Sequence, residues 1–134
     1  MKIMIVDDSP ISRRSIRMEL ESGGYEVIEA SSGEEALYML EKASPDLVTM
    51  DVSMPGINGF ETSRRIFNSL NGKLGSKRRF GKVPVVVITQ VDNATARLEG
   101  FKSGVTDFLT KPFQQGKLRE LVDYWLKPCK ATMG

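Results

Sequence analysis

Histidine is absent from all 134 residues. That excludes a Ser-His-Asp triad, histidine-rich zinc sites and phosphohistidine chemistry on this chain, so any phosphate chemistry here must run through carboxylates. A single cysteine, Cys129, allows no internal disulfide, which points to a reducing compartment. The chain has no low-complexity tract and no internal repeat. No apolar run approaches the roughly 20 residues of a membrane helix, and Ile3 to Val6 is too short for the apolar core of a signal peptide. These absences leave a soluble, cytoplasmic, single-domain protein as the expectation, with 40% apolar and 27% charged residues and length enough for a real core.

The net charge of +2 is unevenly spread. Lys73, Lys77, Arg78, Arg79 and Lys82 lie in a stretch from Asn68 to Lys82 that contains no acid; without them 14 bases face 17 acids, a net of −3. The basic balance therefore belongs to one segment.

Along the chain, continuously apolar runs alternate with helical patterns. Lys2 to Val6 reads as a strand covered on both faces and ends in Asp7-Asp8. Ser9 and Pro10 open a helix with Ile16 and Leu20 on one face, and Gly23-Gly24 ends it. Tyr25 to Ala30 is a second strand, and Ser32-Gly33-Glu34-Glu35 is a capping box before a helix striped by Ala36, Leu37 and Leu40. Leu47 to Met50 delivers Asp51 to a strand end, after which Pro55-Gly56 and Asn58-Gly59 turn the chain. A third helix starts near Asn58, with Phe60, Phe67 and Leu70 able to share a face, and Asn71 to Lys82 reads as a loop. Val83 to Ile88 is a strand ending in Thr89; a weakly apolar helix from about Asn93 to Lys102 is closed by Gly104. Thr106 to Thr110 is the last strand before Lys111-Pro112, and Leu118, Leu121, Val122 and Trp125 mark the final helix. Five strands alternating with five helices predict an α/β, doubly wound parallel sheet.

In such a sheet all strand ends of one kind share an edge, which gathers Asp7-Asp8, Asp51, Thr89 and Lys111. An acid at the end of a buried strand is costly unless compensated, and three crowded carboxylates favour a divalent cation. Magnesium fits, as a hard cation that takes few protein oxygens and keeps several waters. A lysine beside them can steady a phosphoryl group.

Asp7-Asp8, Asp51 before Met54-Pro55-Gly56, Thr89 and Lys111-Pro112-Phe113 together resemble the receiver domain of two-component response regulators, over Lys2 to about Leu126. The resemblance implies a flavodoxin-like three-layer sandwich of strand order 2-1-3-4-5. It implies a receiver domain at 1–126, with a basic insertion at about 71–82, and a short tail at 127–134. Asp51 would accept a phosphoryl group from a histidine kinase or phosphotransfer protein. Asp7, Asp8, Asp51 and the backbone carbonyl of Ser53 would hold Mg2+, or Mn2+ in its place. Lys111 and Thr89 would bind phosphoryl oxygens, the bond before Pro112 would be cis, and Thr89 with Phe108 would switch a surface for a downstream target, or for an output domain in a longer protein. The switch would work by the Phe108 ring turning inward as Thr89 moves.

The chain also departs from the pattern. Asp51 to Thr89 is about eight residues longer than usual, with the excess in the basic stretch. That stretch reads first as a solvated loop and second as a dock for an acidic partner; nucleic acid is disfavoured, since no helix-turn-helix or aromatic stacking pattern accompanies it. Gln90 stands where a small residue is usual and is expected to narrow the site. Ser53 and Val91 offer no carboxylate or amide to orient water, which predicts slow self-dephosphorylation. Gln114 replaces a stronger helix cap. Two competing functions are a magnesium-dependent aspartyl-phosphate phosphatase, which would want an acid where Ser53 stands, and a receiver-like scaffold never phosphorylated, which would be expected to lack an acid or the lysine.

Overall fold

The computed structural model describes residues 1–52, 58–74, 83–90 and 94–126. Five strands, β1 (Lys2–Val6), β2 (Glu26–Ala30), β3 (Leu47–Met50), β4 (Val85–Thr89) and β5 (Asp107–Thr110), form one parallel sheet in the order β2-β1-β3-β4-β5. Helices α1 (Pro10–Ser22), α2 (Gly33–Ala43), α3 (Gly59–Leu74), α4 (Ala94–Lys102) and α5 (Lys117–Leu126) fill the crossovers. The expected alternation, parallel sheet and strand order are all present.

The two-fold period of a strand explains why β1 is apolar throughout. Ile3 and Ile5 point into a core shared with Ile16 and Leu20 of α1 and with Leu118 and Val122 of α5. Met4 and Val6 point into the opposite core, with Ala36 and Leu40 of α2, Ile66 of α3 and Phe108 of β5. A sheet buried on both faces tolerates no polar alternation, so the informative residues are those just past the strand ends.

Local signals set the helix boundaries. Ser9 caps α1, its hydroxyl accepting from Ser12 N–H at 3.2 Å, and Pro10 opens it. Gly24, at φ +90°, turns the chain out of α1, with Tyr25 N–H donating to the Leu20 carbonyl. Ser32 and Glu35 form the capping box of α2, Glu35 reaching back to the Ser31 N–H rather than to that of the cap itself. Asn58 caps α3 through a 2.9 Å bond from Glu61 N–H.

The strand ends fall within two residues of expectation, and the boundary that differs most is the end of α3. The α3 helix continues to Leu74, through the Asn71-Gly72 pair read as the start of a loop. Glycine weakens a helix by about 1 kcal/mol but keeps its N–H, whereas proline would have removed it. The remainder of the basic insertion, at 75–82, and the tail at 127–134, including Cys129, lie outside the described residues.

Candidate functional site

The site lies at the carboxyl edge of the sheet, where β1, β3, β4 and β5 end. Asp7 follows β1 directly and is 1% exposed. Its backbone N–H donates to the Ala30 carbonyl at 3.1 Å, so β2 extends its support one residue past the strand. The Asp51 N–H donates to the Val6 carbonyl at 2.9 Å, which places Asp51 beside Asp7-Asp8. Carboxylate oxygens of Asp7, Asp8 and Asp51 all lie within 4.8 Å of one another, with Asp7 buried, Asp51 half-buried and Asp8 exposed.

Gly59 permits this crowding. A Cβ there would sit 2.5 Å from the Asp51 carbonyl oxygen and 2.6 Å from Val52 Cα, so only a residue without a side chain lets α3 begin against the Asp51 backbone.

The buried Asp7 carboxylate is compensated by three polar groups. Oδ1 accepts from Ser9 N–H at 2.9 Å; Oδ2 accepts from the Ser12 hydroxyl at 2.6 Å and the Lys111 ammonium at 3.1 Å. The Lys111 ammonium also donates to Ser12 Oγ at 3.0 Å. Arg13 donates from Nη1 to the Asp7 carbonyl at 2.7 Å and from Nε to Glu29 at 3.0 Å. Arg17, beside Glu29, holds that carboxyl below its usual range; burial opposes the shift and Arg13 adds to it. Basic side chains of α1 thus brace the end of β1 from outside the acidic cluster.

Thr89 ends β4 and is buried, and its carbonyl accepts from Lys111 N–H at 2.8 Å, tying the lysine turn to β4. The Lys111–Pro112 bond is cis. Gln90 is exposed and lines a groove with Ile11, Ser12 and Lys111.

The strand-end residues named from sequence fall together: Asp7, Asp8 and Asp51 form the cluster, Lys111 reaches into it, and Thr89 is bonded to the lysine turn. Ser53, the Met54-Pro55-Gly56 turn and Val91 lie outside the described residues. Ser12 is the site residue that sequence reasoning passes over. Its spacing of five from Asp7, across a helix start, is the signal that could have found it.

Phe108 is buried in this structure. It packs edge-on to Phe101 with centroids 5.4 Å apart and lies under the Arg97 guanidinium, 5.2 Å from the ring centroid. Gly100 leaves the room: a Cβ there would stand 2.4 Å from Phe108 Cζ.

Three hard-oxygen donors at this separation suit a small divalent cation. One of them, exposed Asp8, is open to solvent, and magnesium retains water when bound.

Comparison with known proteins agrees with this arrangement. The response regulator receiver domain family matches residues 3–123. Protein PilH of Pseudomonas aeruginosa is 32% identical over 122 residues, covering 91% of this chain and 94% of PilH. The ycf27 protein of Porphyra purpurea is 35% identical over 117 residues, 87% of this chain but 44% of that longer protein. The structure of chemotaxis protein CheY4 of Vibrio cholerae superposes with a TM-score of 0.79 at 32% identity, over 93% of this chain and 98% of that one. With its strand order, acidic edge and lysine turn already in place, the chain belongs to the receiver domains of two-component response regulators.

Proposed function

We propose that this receiver accepts a phosphoryl group on Asp51 from the phosphohistidine of a histidine kinase or phosphotransfer protein. A carboxylate oxygen of Asp51 forms the new O–P bond as the P–N bond breaks, and the departing imidazole nitrogen keeps the electron pair. The observation that carries this reading is the position of the Lys111 ammonium, 3.1 Å from a buried acid of the same cluster as Asp51.

Asp7, Asp8 and Asp51, with the backbone carbonyl of Ser53, would hold Mg2+, or Mn2+ in its place. When bound, the cation neutralises charge on the transferring oxygens. The chain's own residues do the rest. Gly59 and the Val6 carbonyl position Asp51, and Lys111 and Thr89 bind phosphoryl oxygens. Phosphoryl transfer depends on such positioning and charge balance more than on covalent assistance.

Output is a rearrangement at the face of α4, β5 and α5. Thr89 and Phe108 are its switch residues: as Thr89 moves, Phe108 exchanges its contacts with Arg97, Gly100 and Phe101. The chain acts as a signalling domain and turns over no separate substrate. Among the described residues no helix is long and apolar enough to cross a membrane, and we place the protein in the cytoplasm, where histidine kinases present their phosphohistidine.

Incubation with acetyl phosphate and Mg2+ tests the reading. Intact-mass analysis is expected to show one added phosphoryl group on the wild type and none on Asp51→Ala. Equal labelling of both proteins, or none on the wild type, would overturn it.

A further inference from the structure

Lys111 rests on two groups of different character. Asp7 Oδ2 is charged and 3.1 Å from Nζ; Ser12 Oγ is neutral and 3.0 Å away. The serine is itself held. Its hydroxyl hydrogen is committed to Asp7 Oδ2 at 2.6 Å, and its N–H is bonded to Ser9 Oγ in the first turn of α1. With the hydrogen committed, a lone pair of Oγ is left to accept from the ammonium.

Asp7 belongs to the acidic cluster, so its hold on the ammonium competes with any cation bound there. Ser12 has no such competitor. We propose that the Ser12 hydroxyl is a positioning group for Lys111: it keeps the ammonium at the site when Asp7 is otherwise engaged and steers it toward a phosphoryl group on Asp51. An ammonium has three N–H donors, and one bond to Ser12 leaves two for anionic oxygens. This inference rests on the function proposed above and adds to it a residue that acts through another.

Two measurements on Ser12→Ala and Ser12→Thr test it. The first needs no phosphorylation: the Lys111 ammonium signal in 15N NMR. Its hydrogen exchange with water is expected to be slow in the wild type, about five- to tenfold faster in Ser12→Ala, and slow again in Ser12→Thr, which keeps the hydroxyl. The second is the rate of phosphorylation by acetyl phosphate at saturating Mg2+. Ser12→Ala is expected to lower it about five- to tenfold, leaving the Mg2+ concentration for half-maximal rate within about twofold of wild type. Ser12→Thr restores the rate, and Ser12→Ala has no further effect in a Lys111→Ala background.

An unchanged ammonium signal and rate in Ser12→Ala would overturn the proposal. So would a defect confined to Mg2+ half-saturation, or one that persists in full without Lys111, since either makes Ser12 a prop for Asp7. A wild type that is never phosphorylated defeats the function reading and the rate proposal together, and the ammonium signal then still reports whether Ser12 holds Lys111.

Discussion

The carboxylate of Glu19, on α1, caps the start of α5. One oxygen accepts from Gly116 N–H at 3.1 Å and the other from Arg119 N–H at 3.0 Å. Because α5 begins at Lys117, Gly116 rather than Gln114 stands at its cap and offers no side-chain acceptor, so the first turn borrows one from another helix nearly 100 residues away in sequence.

Glu19→Ala is therefore expected to destabilise the fold by about 1 kcal/mol, a few degrees in the melting midpoint of a domain this size. Glu19→Gln keeps an acceptor and should lose roughly half as much. Urea unfolding measures both, with Glu21→Ala as a comparison. Glu21 is an exposed partner of Arg17 on the same helix, and its loss should stay within about 0.5 kcal/mol. Equal losses at Glu19 and Glu21 would refute the cap.

Gly100 sets two effects against each other. Alanine in a helix gains about 1 kcal/mol over glycine. The added methyl, however, would stand 2.4 Å from Phe108 Cζ and 3.1 Å from Phe60 Cε1, and overpacking of this kind costs about 1 to 3 kcal/mol. The clash is expected to win. Gly100→Ala should lower stability by about 1 kcal/mol and shift the Phe108 ring resonances, because that ring must move. A more stable variant with unmoved Phe108 signals would show that propensity dominates.

Sequence reveals what depends on spacing along one element. The position of Asp51 follows from an apolar run that must be a buried strand. The meeting of Asp7, Asp8 and Lys111 follows from parallel topology alone. Ser12 and Glu19 escape notice because each looks like an ordinary polar residue on α1; their partners lie about 100 residues away. The packing of Phe108 against α4 escapes notice for a related reason, since the space it fills is made by a glycine on that helix. Asn71-Gly72 misled because a turn-forming pair and a weak stretch of helix share one composition.

Thr49 offers a gain. It lies in the sheet interior between Ile5 and Val86, 1% exposed, and its hydroxyl has no hydrogen-bond partner among the described residues. A buried hydroxyl without a partner carries a desolvation cost that an isosteric methyl avoids. Thr49→Val should therefore raise the urea midpoint, by about 1 kcal/mol of stability, with an unchanged denaturant slope. A loss of stability would mean that the hydroxyl is satisfied.

Tyr25 provides the pH dependence. Its hydroxyl donates to Asp123 on α5, joining the edge beside β2 to the last helix. Burial, foremost, and the adjacent Asp123 carboxylate push the phenol well above its ordinary value near 10. The folded protein therefore binds the phenolic proton more tightly than the unfolded chain. The resulting stability is fully present below the unfolded pKa of about 10 and is lost as pH rises from there through the folded value. Tyr25→Phe is expected to cost about 1 to 2 kcal/mol at neutral pH, since Asp123 loses a donor. The difference from wild type should then shrink steadily above about pH 10, where wild type forfeits what the variant never had. Urea unfolding at neutral pH and in steps above pH 10 measures it; a gap that stays constant or widens would show that the phenol is not held protonated by the fold.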